Sequence, residues 1–128
     1  MTRKRVSSGS YLEPEIGFSR AVRIGNMIAV AGTAPIAPGG GTDGVGDVYR
    51  QTVRCLEIIA QALADAGASM DDVIRTRVML TDMSRWKEAA RAHGEAFSGI
   101  RPACTFVQVS GFVDPDWLVE LEADAVTG

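Results

Sequence analysis

Apolar residues recur along this chain with two different periods, and the switches between them divide it into elements. Residues 19–24 alternate apolar with polar, and residues 27–31 form a continuous apolar run. Gly25 and Asn26 lie between them, a two-residue hairpin signal. Residues 3–8 read as an edge strand. Residues 47–66 follow the helical period instead. Val48, Thr52, Leu56, Ile59 and Leu63 line one stripe, while Arg50, Arg54, Glu57, Gln61 and Asp65 lie largely away from it. Gly67 is well placed to stop this helix.

The alternating period returns over residues 73–80. Ile74, Thr76, Val78 and Leu80 share one face, and Arg75, Arg77 and Met79 share the other. Residues 81–84 turn into a second helix that runs to about Phe97, with Asp82 and Ser84 as alternative N-caps. Trp86, Ala89, Ala90, His93 and Phe97 form its apolar stripe. Residues 103–109 and 118–126 are the last two strands, joined by a turn around Asp114-Pro115-Asp116. The order is three strands, helix, strand, helix, two strands. It predicts an α+β fold in which right-handed crossovers place both helices on one face of a mixed sheet.

The opposite face is then left uncovered. By alternation it carries Cys104, Phe106, Gln108, Leu118, Glu120, Glu122, Asp124, Arg75, Arg77 and Met79. That mixture is too apolar for bulk water and too polar for a dry core. Such a face suits a subunit interface containing a cleft.

Composition narrows the function classes. The 128 residues suffice for one domain, expected over 1–128, and 46% hydrophobic with 23% charged residues is ordinary for a soluble globular domain. A net charge of −3 supplies no basic field for nucleic acid, and Arg3-Lys4-Arg5 reads as a solvated strand start. No apolar stretch reaches the roughly 20 residues of a membrane span, and residues 1–10 lead into no apolar signal segment. Two cysteines, Cys55 and Cys104, are too few for a disulfide framework, so a reduced, cytoplasmic setting is expected. With one histidine, His93, and no metal-ligand spacing, no metal site is expected. The glycines of residues 38–44 predict a mobile loop, since neither a Gly-Lys-Ser/Thr nor a Gly-x-Gly-x-x-Gly order accompanies them.

Several segments, taken in order, resemble the YjgF/RidA family of enamine/imine deaminases. Phe18-Ser19-Arg20-Ala21 is similar to that family's Tyr-Ser-x-Ala. Gly25-Asn26, the apolar strand and Gly32 resemble its next motif. Gln51-Thr52, Ala66-Gly67-Ala68-Ser69-Met70-Asp71-Asp72-Val73 and Leu80-Thr81-Asp82-Met83 match the middle of the pattern. Pro102-Ala103-Cys104 stands where the family has Pro-Ala-Arg, and Leu118-Val119-Glu120-Leu121-Glu122-Ala123 matches its last strand. The resemblance implies a chorismate-mutase-like fold, a homotrimer, and cofactor-free clefts for a small metabolite between subunits.

By the same resemblance, Glu120 matches the acid that holds the attacking water or the substrate nitrogen. Gly32 matches a glycine whose backbone lines the cleft. Phe18 replaces a tyrosine, and Cys104 replaces the arginine that grips the substrate carboxylate. Phe106 and Arg77 complete the set of expected cleft residues. An arginine fork binds a carboxylate bidentately, and a neutral thiol does not replace it. The usual 2-iminopropanoate is therefore not the expected substrate.

Each candidate also has a plainer role. Cys104 is either a nucleophile or a small liner of the cleft, and His93 is expected on the helix side, away from it, as a packed side chain. Glu120 is either a general acid/base or one more member of an acidic strand face with Glu122 and Asp124. Arg75 and Arg77 either neutralise those acids across strands or supply the charge that Cys104 lacks. The functional readings are an enamine/imine deaminase, a trimeric metabolite-binding module, or a translation-inhibiting ribonuclease. The last lacks the histidine pairs or metal-binding acids that RNA cleavage normally uses.

Overall fold

The computed structural model describes residues 2–128. Six strands form one mixed sheet: β1 (Arg3–Val6), β2 (Ala21–Ile24), β3 (Met27–Thr33), β4 (Val73–Leu80), β5 (Ala103–Gln108) and β6 (Val119–Val126). Their spatial order is β1-β2-β3-β6-β4-β5, with β4 and β5 parallel and the other pairs antiparallel. Gly25 has φ 61, the left-handed conformation that lets the two-residue turn join β2 to β3.

Helix α2 (Val48–Asp65) and helix α3 (Trp86–Phe97) pack on the same sheet face. Asp47 accepts a hydrogen bond from Arg50 N at 2.9 Å and caps α2, a contact of about 1 kcal/mol. Gly67, at φ 84, ends its C-terminal turn. The stripe expected for α2 is buried as drawn, against Val30, Val78, Leu80, Val119, Leu121 and Ala123 of the sheet. Gln51 is wholly buried yet satisfied. Its Nε2 donates to Gly44 O and Asp116 O, and its Oε1 accepts from Leu118 N, so one side chain fastens two loops to the helix.

Five local expectations give way to tertiary context. A short additional helix, α1 (Leu12–Ile16), precedes β2. A bulge shifts the β4–β6 register between Val73 and Arg75, so Val73 takes the core position and Ile74 is 52% exposed. At the start of α3, Trp86 is exposed, and Ala92 is buried instead. The glycine-rich loop is a folded turn rather than a loose one. Ile36 bridges to Thr42, and Asp43 accepts both Nε and Nη2 of Arg50 at 2.9 Å.

The fifth correction bears on function. Thr76 pairs with Cys104, Val78 with Phe106 and Leu80 with Gln108. Paired residues share a face, so Cys104, Phe106 and Gln108 lie on the helix side, not with Glu120. Phe106 accordingly packs against the core, and Gln108 Oε1 accepts from Met83 N at 2.8 Å. Leu118 also packs against the core, ahead of β6. The uncovered face does carry Arg75, Arg77 and Met79 opposite Asp124, Glu122 and Glu120. Among the described residues no helix is long and apolar enough to cross a membrane.

Candidate functional site

Glu120 projects from β6 on the uncovered face, between core residues Val119 and Leu121. Its neighbour across β3 is irregular. The register steps from Val30↔Ala123 to Thr33↔Leu121, which places one extra residue on β3. This bulge brings the Gly32 backbone over the carboxyl. A Cβ at Gly32 would sit 3.1 Å from Glu120 Oε1, a tight approach to which the carboxyl must yield.

Behind the bulge lies a residue that sequence reasoning passed over. Arg20 is 4% exposed. Its Nη1 donates to Gly32 O at 2.6 Å and to Thr33 Oγ1 at 3.2 Å, and its Nε donates to Ser8 Oγ at 3.1 Å. Its guanidinium carbon lies 5.2 Å from the centroid of the Phe18 ring. One arginine thus ties Phe18, Gly32 and the surroundings of Glu120 together. The only signal in the sequence was an arginine directly before a strand, which is ordinarily solvated.

The electrostatics follow from burial. Burial pushes the Glu120 carboxyl above the ordinary carboxylate range, and the Arg20 charge only partly opposes this. Burial likewise pushes Arg20 down, against the pull of Glu13 and Glu120. Burial works against ionisation of Glu13 as well. Its bonds from Ser8 Oγ, Ser8 N and Ser10 N nevertheless hold it below its usual range. A carboxyl of raised pKa beside a fixed backbone is suited to proton exchange and can hold a water or an amino group.

Arg77 forms an ion pair with Glu122, and Arg75 reaches Asp124 at 3.9 Å. Both follow the strand register and neutralise the acidic strand, although not Glu120, whose partner is Met79. Half-exposed pairs of this kind contribute about 0–1 kcal/mol. Phe18 and Arg77 line one depression of about 540 Å³ on the uncovered face.

Within one protomer, then, Gly32, Glu120 and Phe18 converge around Arg20, and Phe18 shares its depression with Arg77. Cys104 and Phe106 do not join them. They lie across the sheet on edge strand β5, where Cys104 is exposed. His93 turns out to share the Cys104 face, contrary to expectation. Its Nε2 is engaged with Thr76 Oγ1 at 2.8 Å, its ring lies 4.7 Å from that of Phe97, and burial lowers its pKa. No hydrogen bond links His93 to Cys104 among the described residues, so the packed reading of His93 holds. Cys55 is fully buried and its thiol pKa is pushed up by burial, which makes it inert. Among the described residues no group of three or more His, Cys, Asp or Glu side chains is gathered around a common point where a metal ion would sit.

The family profile described as Endoribonuclease L-PSP matches residues 9–127. The structure of Rv2704 from Mycobacterium tuberculosis, a member of the YjgF/YER057c/UK114 family, is 46% identical, with a TM-score of 0.88 over 98% of this chain and 100% of that one. The 3-aminoacrylate deaminase RutC of Acinetobacter baylyi is 34% identical over 112 residues, 88% of each chain. Escherichia coli TdcF with bound serine is 26% identical, with a TM-score of 0.80 over 97% of this chain and 93% of that one. The six-stranded mixed sheet with its helices is the chorismate-mutase-like fold of these structures.

Proposed function

We propose that this chain, which belongs to the YjgF/RidA family, hydrolyses a small enamine or imine in clefts between the subunits of a homotrimer. The observation that carries this reading is the Glu120 carboxyl, half-buried against the Gly32 backbone and raised in pKa. The cleft is drawn from two copies because Glu120 and Cys104 lie on opposite faces of one sheet, beyond the reach of a single small ligand. Gly32, Glu120 and Phe18 of one copy would face the exposed Cys104 of the next, while Phe106 stays with its own core. In the family pattern position 104 is an arginine, and its replacement removes the fork for a carboxylate; 2-iminopropanoate is therefore a poor substrate.

The chemistry needs only proton transfers. The protonated Glu120 donates a proton to the enamine carbon or to the imine nitrogen, and either gives the electrophilic iminium. The resulting carboxylate takes a proton from water as its oxygen attacks the imine carbon. Glu120 then passes that proton to the carbinolamine nitrogen, the C–N bond breaks to release ammonia, and the hydroxyl proton returns to the carboxylate as the carbonyl forms. One carboxyl serves as acid and base in turn, and a raised pKa suits it to both.

TdcF with bound serine favours a second reading, a trimer that holds a small metabolite without transforming it. The two are separated by turnover. A ribonuclease reading draws on the name of the matching family profile alone. The single histidine is engaged by Thr76, and no pair of histidines exists to cleave RNA.

The test is ammonia release from imines generated in situ, with and without a carboxylate, together with sedimentation equilibrium at micromolar concentration. The expected result is a trimer that accelerates release from a carboxylate-free imine more than from 2-iminopropanoate. Binding without acceleration supports the second reading, and a monomer removes both. A substitution probes the close approach at the bulge. In Gly32→Ala the new methyl must displace the Glu120 carboxyl, so ammonia release is expected to fall several-fold. The melting temperature should move by only a few degrees, since the carboxyl has open space to yield into.

A further inference from the structure

A second pocket, of about 340 Å³, opens on the other side of Arg20. Its walls are the Ser8–Tyr11 segment, the loop from Thr33 to Pro38, and Arg54 and Ile58 of α2. None of the residues proposed for the cleft lines it. Two arginines do, Arg20 and Arg54, and no aspartate or glutamate is among the lining residues.

Both guanidiniums are held mainly by neutral acceptors. Arg20 Nη1 is fixed by Gly32 O, and Arg54 Nε by Ile36 O at 2.7 Å. Arg20 has no carboxylate within 4 Å among the described residues, and Glu57 reaches Arg54 Nη1 only at 3.4 Å from outside this pocket. Carbonyl acceptors orient a guanidinium without cancelling its charge. In both residues Nη2 has no hydrogen-bond partner among the described residues. The chain as a whole carries a net charge of −3, so two fixed, incompletely balanced cations around one cavity run against its average.

We infer that this pocket binds a small organic carboxylate with a short apolar body. The free Nη2 donors and the adjacent charges recognise the anion, because a planar fork fits a carboxylate. The remaining wall is largely apolar. Ile36, Ala37 and Ile58 form an apolar wall that favours an alkyl chain over a compact, fully hydrated anion such as phosphate. Arg20 is buried with no carboxylate within 4 Å among the described residues, and the ligand's charge offsets the cost of that burial.

The probes are butyrate, its neutral isostere butyramide, and inorganic phosphate, each titrated into the trimeric protein and followed by amide chemical shifts. Butyrate is expected to saturate shifts at Ser8–Tyr11 and at residues 33–37, while butyramide leaves them unmoved and phosphate binds more weakly. Arg54→Gln should weaken butyrate about tenfold or more, the usual loss for a charge-assisted bond. Ile58→Trp fills the cavity while keeping both arginines, and should abolish binding in a protein whose spectrum remains dispersed. Neither variant should alter imine turnover, which separates this pocket from the Glu120 cleft. Equal binding of butyramide, tighter binding of phosphate, shifts confined to the surroundings of Glu120, or indifference to both substitutions would each overturn the assignment.

Discussion

Glu120→Gln should lower ammonia release by about 10²- to 10⁴-fold, the usual span for losing a general acid/base, while leaving the fold intact. The substitution keeps the shape of the side chain and removes only its ionisation. Val119 and Leu121, fully buried on either side, hold the strand irrespective of what position 120 carries. The stability effect has a definite sign. Burial raises the folded-state pKa of Glu120 even with Arg20 nearby, so the folded protein prefers the protonated acid. The corresponding stability is fully present below the ordinary glutamate range and is lost as the pH rises through the raised folded value. Glutamine is neutral throughout and does not show that loss. The variant should therefore match the parent in acid and be slightly more stable near neutrality, by thermal unfolding at both pH values. A variant that unfolds more easily at neutral pH would mean that the carboxylate is structural, and one with unchanged turnover would remove Glu120 from the chemistry.

Cys104→Arg should raise deamination of 2-iminopropanoate, by a factor of about ten or more. A charge-assisted hydrogen bond to a carboxylate contributes about 1.5–3 kcal/mol, which sets that scale. Nothing within the protomer obstructs the longer side chain, because Cys104 is exposed on an edge strand. In the proposed trimer, overpacking against the neighbouring copy would cost about 1–3 kcal/mol. Phe18 has no hydroxyl to help hold the substrate, which limits the gain. The assay compares the parent, Cys104→Arg, and Cys104→Arg combined with Glu120→Gln; the last should return to background. A parent already fully active on 2-iminopropanoate would show that another cation serves in place of an arginine at 104. Arg77 is committed to Glu122, so Arg75, whose carboxylate partner lies at 3.9 Å, would then be the first to substitute.

Most of the architecture was legible in the chain. The helical stripe of α2 and its Gly67 stop, the Gly25-Asn26 hairpin and the alternation of β6 are local patterns. Each is imposed by the backbone's own period, so burial followed them closely. The family signature was legible for the same reason, since motifs and their spacing are properties of the sequence. Gly32 and Glu120 were named from those motifs, and the structure places them in contact.

What escaped was the setting of β5 against β4, the two bulges and the burial of Arg20. Nothing local tells whether Cys104 shares a face with Glu120. That parity is decided by the β4–β5 register, and β5 is a mostly exposed edge strand with no alternating core to announce it. The bulge at Val73–Arg75 reversed the expectation for Ile74 by shifting one residue out of phase. The bulge opposite Glu120 produced the close approach of the Gly32 backbone to the carboxyl. Arg20 carries the same lesson. Beside a strand an arginine is ordinarily solvated, and here it is buried because the Ser8–Tyr11 segment, Phe18 and the bulge close around it. Periodicity is a property of neighbours along the chain, whereas register, bulges and the burial of a charge arise only when distant segments meet.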